Sequence, residues 1–181
     1  MELPVFRYHP DPIRTESVKV SDQICVVCEQ RRGYIYTSHV YSTNECWGCI
    51  CPWCIADGTA HQKLGVTFFD ETAVGGYVWE GVSDTIVNEI AQRTPGFSGW
   101  QQEMWFTHCQ DAAAFLGAVG YQELRTLGRE AIDAIRVSTG LEAEDPHWTE
   151  FFQALNKDGA PTAYLFECIH CGTYGGYTNT D

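Results

Sequence analysis

Long apolar runs are missing from this chain. Its opening, MELPVFRYHPDP, has no basic segment followed by an apolar stretch, and nowhere does an apolar run reach the roughly 18 residues a membrane helix needs. A soluble cytoplasmic protein with no membrane partner is expected. Positive charge is scarce: 11 Lys and Arg stand against 24 Asp and Glu, a formal net charge of −13. Phosphate backbones attract Lys and Arg and repel carboxylates, so direct nucleic-acid binding is not expected. The imbalance is uneven, with five basic and seven acidic residues in 1–60 but six and seventeen in 61–181. A partner, if there is one, should be basic; the plainer role of the excess is solubility through self-repulsion. A Gly-rich phosphate loop, an internal repeat and a low-complexity run are absent too.

At 181 residues the chain suits a single compact domain, 1–181, long enough to bury a sizeable core. Pro4, Pro10 and Pro12 exclude a helix at the start, which should lie extended over the surface. The β-formers Tyr34 to Thr37, leading to Val40 and Tyr41, read as a short hairpin. PWCIADGTAHQK, from Pro52, reads as a short helix weakened by Gly58, and LGVTFFD, from Leu64, as a strand. Ser83 should cap a helix DTIVNEIAQR, and Asp111 a helix AAAFLG, with Trp100 and Trp105 in the core. Leu124, Leu127, Ala131 and Ile135 mark one amphipathic helix from Tyr121, in which Gly128 costs about 1 kcal/mol. Asp145 and Pro146 open a helix HWTEFFQALN, and AYLFECIHCGTYGGYT reads as strand, CxxCG knuckle, strand. Mixed short strands and helices make the class α+β.

What the chain does have is cysteine. Nine are present, eight of them in the CxxC pairs Cys25/Cys28, Cys46/Cys49, Cys51/Cys54 and Cys168/Cys171. In a reducing compartment such pairs favour thiolate ligation over disulfides. A CxxC turn presents two thiolates to one ion, and zinc completes its tetrahedron with a second pair. Cys25/Cys28 lie before the expected hairpin and Cys51/Cys54 at a helix start, with 22 residues between Cys28 and Cys51. Knuckle, hairpin, helix is the order of a treble-clef finger, which predicts a treble-clef-like zinc module over 20–65. The helix N-terminus should lower the thiol pKa values there.

The remaining part, 66–181, reads as an acidic α+β region closing with a zinc-knuckle hairpin over 163–178. Its Cys168 and Cys171 need partners, for which Cys109 is the first candidate and His108 the next, with His170 and His61 as outsiders. Neighbours in an extended chain point to opposite faces, so His108 and Cys109 can join one ion only where the backbone bends. Two zinc ions are expected. An all-cysteine tetrahedron is closed and structural, so an enzyme is not the favoured reading. CxxC-x-CxxC lacks ferredoxin spacing, CWGC lacks a βαβ context for a redox pair, and no HxE precedes CPWC as in a deaminase.

Four blocks, LPVFRYHPDP, CPWCIADGTAHQK, RTPGFSGWQQEMWFTHCQDAAAFLG and YLFECIHCG, resemble the CbrC family, small bacterial proteins of which one member is associated with tolerance to DNase-type colicins. The resemblance implies a cytoplasmic protein with metal-type cysteine pairs and a colicin-tolerance or immunity role. Cys46 and Cys49 depart from that pattern. Together these readings predict a non-enzymatic zinc protein whose carboxylates, among them Glu142, Glu144, Asp145 and Glu150, meet a basic partner such as a DNase toxin. Two rivals are an enzyme with a partly open second zinc site and a thiol- or zinc-responsive regulator acting through Cys46/Cys49.

Overall fold

In the computed structural model, residues 2–42, 49–76 and 78–180 are described. Cys46 lies outside them. The elements run β1 (Val18–Val20), β2 (Tyr34–Tyr36), α1 (Pro52–Ala56), α2 (Thr59–Leu64), α3 (Asp84–Arg93), β3 (Thr107–His108), β4 (Asp111–Ala112), β5 (Ala114–Val119), α4 (Tyr121–Leu127), α5 (Arg129–Thr139), α6 (Pro146–Ala154), β6 (Thr162–Glu167) and β7 (Tyr174–Asn179). The class is α+β with small sheets.

The centre is the antiparallel sheet β5-β6-β7. Strand β6 is the middle strand, and Thr162 to Phe166 are all buried because each face is covered. Alternation sorts its side chains. Ala163 and Leu165 face a layer made by Leu124, Ala131, Ile135 and Trp148 from α4, α5 and α6, whereas Tyr164 and Phe166 join an aromatic layer with Tyr8, Phe97, Trp105, Phe106 and Phe115. On β7, a Cβ at Gly175 would overlap the Phe106 ring and one at Gly176 the Tyr164 carbonyl. Two adjacent glycines let both layers close on an edge strand.

A third core, built from Phe6, Val27, Tyr36, Ile50, Ile55, Val66 and Phe68, surrounds Cys25, Cys51 and Cys54. It meets the rest through α3: the Phe68 N–H donates to the Ala91 carbonyl (2.6 Å), and the Arg93 guanidinium donates to the Ala56 carbonyl at the end of α1.

Several local expectations are corrected. The opening is not a surface strap, since Phe6, Tyr8 and His9 are buried. Strand β2 pairs with β1, on the other side of the first knuckle, and Tyr41 bridges instead to Thr67. Among the described residues the order is strand, knuckle, strand, helix, which does not confirm the expected treble-clef order. The helix from Pro52 breaks at Gly58 (φ 78°), and LGVTFFD is not a strand: Leu64 ends α2 and Gly65 turns left-handed. Gly128 (φ 97°) likewise divides one expected helix into α4 and α5. Ser83 does precede α3, but its hydroxyl makes no cap bond. AAAFLG is strand on both sides of Ala113, and Asp111 caps nothing. Trp105 is buried but Trp100 is 65% exposed. No helix among the described residues is long and apolar enough to cross a membrane.

Candidate metal centres

The first centre gathers Cys25, Cys28, Cys51 and Cys54, with all four Sγ atoms within 4.8 Å of one another. The Cys25–Cys54 and Cys28–Cys51 separations are 3.9 and 3.8 Å. A tetrahedral ion with metal–sulfur bonds of about 2.3 Å requires sulfurs about 3.8 Å apart, whereas a disulfide requires about 2 Å. The thiols are collected and not joined. Cys51 precedes α1 and Cys54 sits in its first turn, with Pro52 at the position where a missing N–H costs nothing. N–H groups of Val27 and Cys51 donate to Cys25 Sγ at 3.4 and 3.3 Å.

The expected lowering by the helix N-terminus does not hold. Burial raises Cys51 to about 11, outweighing the N–H of Cys54, and raises Cys54 further. Cys28, off the helix, is the lowered one: burial opposes its ionisation, but the Gln30 N–H and the neighbouring thiols bring it down to about 7. Four thiolates this close cannot ionise together without a cation among them. Arg32 lies beside them. Burial works against its charge, but Cys28 and the charges of Cys51 and Cys54 keep its pKa above the ordinary value.

The second centre gathers His108, Cys109, Cys168 and Cys171. His108 Nδ1 lies 3.3 Å from Cys109 Sγ and 3.4 Å from Cys171 Sγ, and those sulfurs are 3.8 Å apart. The bend that lets neighbours converge is a two-residue hairpin turn. His108 pairs with Asp111, and Cys109 (φ 55°) and Gln110 (φ 58°) between them are both left-handed. Such a turn prefers Asn-Gly, and each L-residue held there costs about 1–2 kcal/mol. The Gln110 N–H donates to the Glu80 carboxylate at 2.8 Å, and Phe106 stacks against His108 at 14°.

The two knuckles share one hydrogen-bond frame. The N–H of Cys25 donates to the carbonyl of Gln30 and that of Glu29 to Cys25; the N–H of Cys168 donates to Thr173 and that of Gly172 to Cys168. The residue after the second cysteine is left-handed in both, Glu29 at 56° and Gly172 at 73°. Exposure separates them. Cys25, Cys51 and Cys54 are buried and Cys28 half-buried, whereas Cys109 and Cys171 are exposed, His108 half-buried and Cys168 buried.

Behind the second centre, buried Asp111 accepts from Arg7 (2.7 Å), Tyr8 (2.8 Å), the Ala112 N–H (2.8 Å) and His170 Nε2 (2.8 Å). Burial would raise its pKa; these four groups lower it instead. The carboxylate thus ties the N-terminal segment, the hairpin and the knuckle together.

Residues 3–180 match the model of the Uncharacterised protein family (UPF0167). The chain belongs to UPF0167. Among its relatives, UPF0167 proteins of Mycobacterium bovis and Mycobacterium tuberculosis are each 45% identical over 179 residues, covering 98% of this chain and 94% of theirs. One from Pseudomonas aeruginosa is 40% identical over 171 residues, 94% of this chain and 93% of its own. No solved structure matches. The CbrC resemblance is corrected accordingly: the family and relatives that match nearly end to end carry the UPF0167 name.

In this UPF0167 chain the eight residues singled out by spacing come together as two fours. The outsiders go elsewhere, His170 to Asp111 and His61 Nδ1 to the Val66 carbonyl (2.9 Å). Cys49 is half-buried, its S–H donating to Gln23 Oε1 at 2.9 Å. Asp111, Glu80, Thr173 and Arg32 were missed. Glu80 holds the hairpin tip from a distant segment and Asp111 joins that hairpin to Arg7 and Tyr8, which no local spacing announces, whereas Thr173 and Arg32 stand close in sequence to their own knuckles.

Proposed function

We propose that this UPF0167 protein is a non-enzymatic two-zinc protein, with both ions structural and an acidic surface that meets a basic protein partner. One observation carries the metal reading: eight donor atoms stand in two groups of four, with sulfur–sulfur distances of 3.8–3.9 Å that match a tetrahedral edge. Sets of four cysteines, or of three cysteines and one histidine, suit zinc. In each group four protein ligands complete the tetrahedron, leaving no position for a substrate or an attacking water, which favours a structural over a catalytic role. Cys25, Cys51 and Cys54 are themselves part of a hydrophobic core, as structural ligands are.

Metal analysis of protein purified without chelator tests this, with about two zinc ions per chain expected. Iron, or no metal, overturns it. The partner reading rests on the net charge of −13, with Glu142, Glu144 and Glu150 exposed and Asp145 spent on capping α6. Association with a basic protein should weaken as salt is added, because screening removes the attraction. The DNase toxin rested on the CbrC resemblance and is withdrawn with it.

A further inference from the structure

The two centres are built on the same knuckle but differ in what reaches their sulfurs. In the first, three of four cysteines are at most 2% exposed. In the second, the exposed pair Cys109 and Cys171 have Sγ atoms 3.8 Å apart, close enough to bond after a shift of under about 2 Å. Cys171, with Gly172 and Thr173, also lines an open groove of about 1050 Å³ between α5, β7 and Trp79, so a small solute has a path to it. Neither thiol is hindered by a covering side chain of the kind that encloses Cys25 or Cys54.

Resting on the two-zinc reading, we infer that the second centre is an oxidation site, at which hydrogen peroxide joins Cys109 to Cys171 and frees one zinc while the first centre keeps its own. One thiolate of the pair attacks a peroxide oxygen, the O–O bond breaks, and a sulfenic acid and hydroxide form. The other thiolate attacks that sulfur, the S–S bond forms and a second hydroxide leaves. Each sulfur gives up one electron, the peroxide takes both, and two protons from solvent turn the two hydroxides into water. His108 and Cys168 remain, two donors where a zinc site needs four. The left-handed turn at Cys109 and Gln110 contributes: it projects the Cys109 thiol from the tip of a two-residue hairpin, which moves more easily than a thiol anchored in a helix or core.

The test starts with the metal content of untreated protein and then adds hydrogen peroxide in small molar excess. Released zinc is read with a chromogenic chelator and the bridge by peptide mass spectrometry. Expected are two ions before treatment, one released, a Cys109–Cys171 bridge, and recovery of the second ion after thiol reductant and added zinc. In Cys109→Ser, retained Cys168 and Cys171 should give peroxide-driven release at least tenfold slower; Cys49→Ser, a thiol outside both centres, should leave the Cys109–Cys171 bridge unchanged. Two ions before treatment with both lost together, neither lost, or a bridge among Cys25, Cys28, Cys51 and Cys54 overturns the oxidation site and leaves the two-zinc reading standing. Fewer than two ions in untreated protein overturns both.

Discussion

Asp111 and His9 are the two polar residues on which the buried N-terminal segment depends. Asp111 Oδ2 accepts from Arg7 and His170, and Oδ1 from Tyr8 and the Ala112 N–H. Asn at 111 keeps one acceptor but turns an NH2 towards two donors. Asp111→Asn should therefore cost about 2–3 kcal/mol in urea denaturation of the metal-loaded protein, and a loss under half that would mean solvent replaces these bonds. His9 is fully buried: its Nδ1–H donates to the Pro95 carbonyl and its Nε2 accepts from the Thr15 hydroxyl, both at 2.6 Å. Burial lowers its pKa to about 4; the Pro95 carbonyl and Asp11 pull the other way, and Arg14 adds to the lowering. The unfolded chain takes up this proton below about pH 6.5 and the folded one only below about pH 4, so stability falls as pH drops through that window. The full shift is worth about 3 kcal/mol. A His9→Gln protein should lose this slope while keeping whatever slope the thiols contribute, which a paired denaturation series from pH 7 to 4 would show.

At the scale of elements, legibility followed how local each determinant was. Helix α6 was legible because Asp145 caps it and Pro146 opens its first turn, and β6 and β7 because the CxxCG between them fixes a turn. A CxxC sets two thiols by itself, so gathering four needs only one long-range contact. Asp111 before three alanines reads as a cap over a helix, and that reading failed because the segment is an edge of the aromatic core, where Phe115 N–H donates to the Tyr8 carbonyl. Tertiary pairing overrode propensity. Gly128 failed in the other direction: treated as a cost inside one helix, it is the hinge between two. The glycines of β7 show how an element reaches the site. Phe106 lies over Gly175 and stacks on His108, so a methyl at 175 displaces the ring that holds a ligand. Gly175→Ala should cost about 1–3 kcal/mol, which for a chain of this size lowers the melting temperature by roughly 3–9 °C, and should weaken zinc retention at the second centre specifically. Equal loss at both centres would sever that link.

For the whole molecule, three cores raise the question of which of them needs metal. The central sheet has apolar cover on both faces, from Trp105, Phe115 and Phe166 on one side and Leu124, Ile135 and Leu165 on the other, and neither layer includes a cysteine. The N-terminal core is different. Cys25, Cys51 and Cys54 are among its members, its strands are three residues long, and its two helices have five and six. Elements this short do not hold themselves, so on the proposed two-zinc reading binding free energy at the first centre is folding free energy for this part. Removal of both ions by a strong chelator should therefore abolish amide-exchange protection in β1, β2, α1 and α2 while β5, β6 and β7 stay protected. The residual protection in the sheet should shrink near Cys168, where β6 runs into the second centre, and persist around Tyr164. Arg93 and Phe68 join the two parts at α3, and Arg7, Tyr8 and His9 tie the N-terminal segment to Asp111, Phe115 and Pro95, so that segment should keep its protection with the sheet. If protection disappeared from all strands together, the sheet would depend on the cations as much as the N-terminal core does, and the division of labour between apolar burial and metal would be wrong.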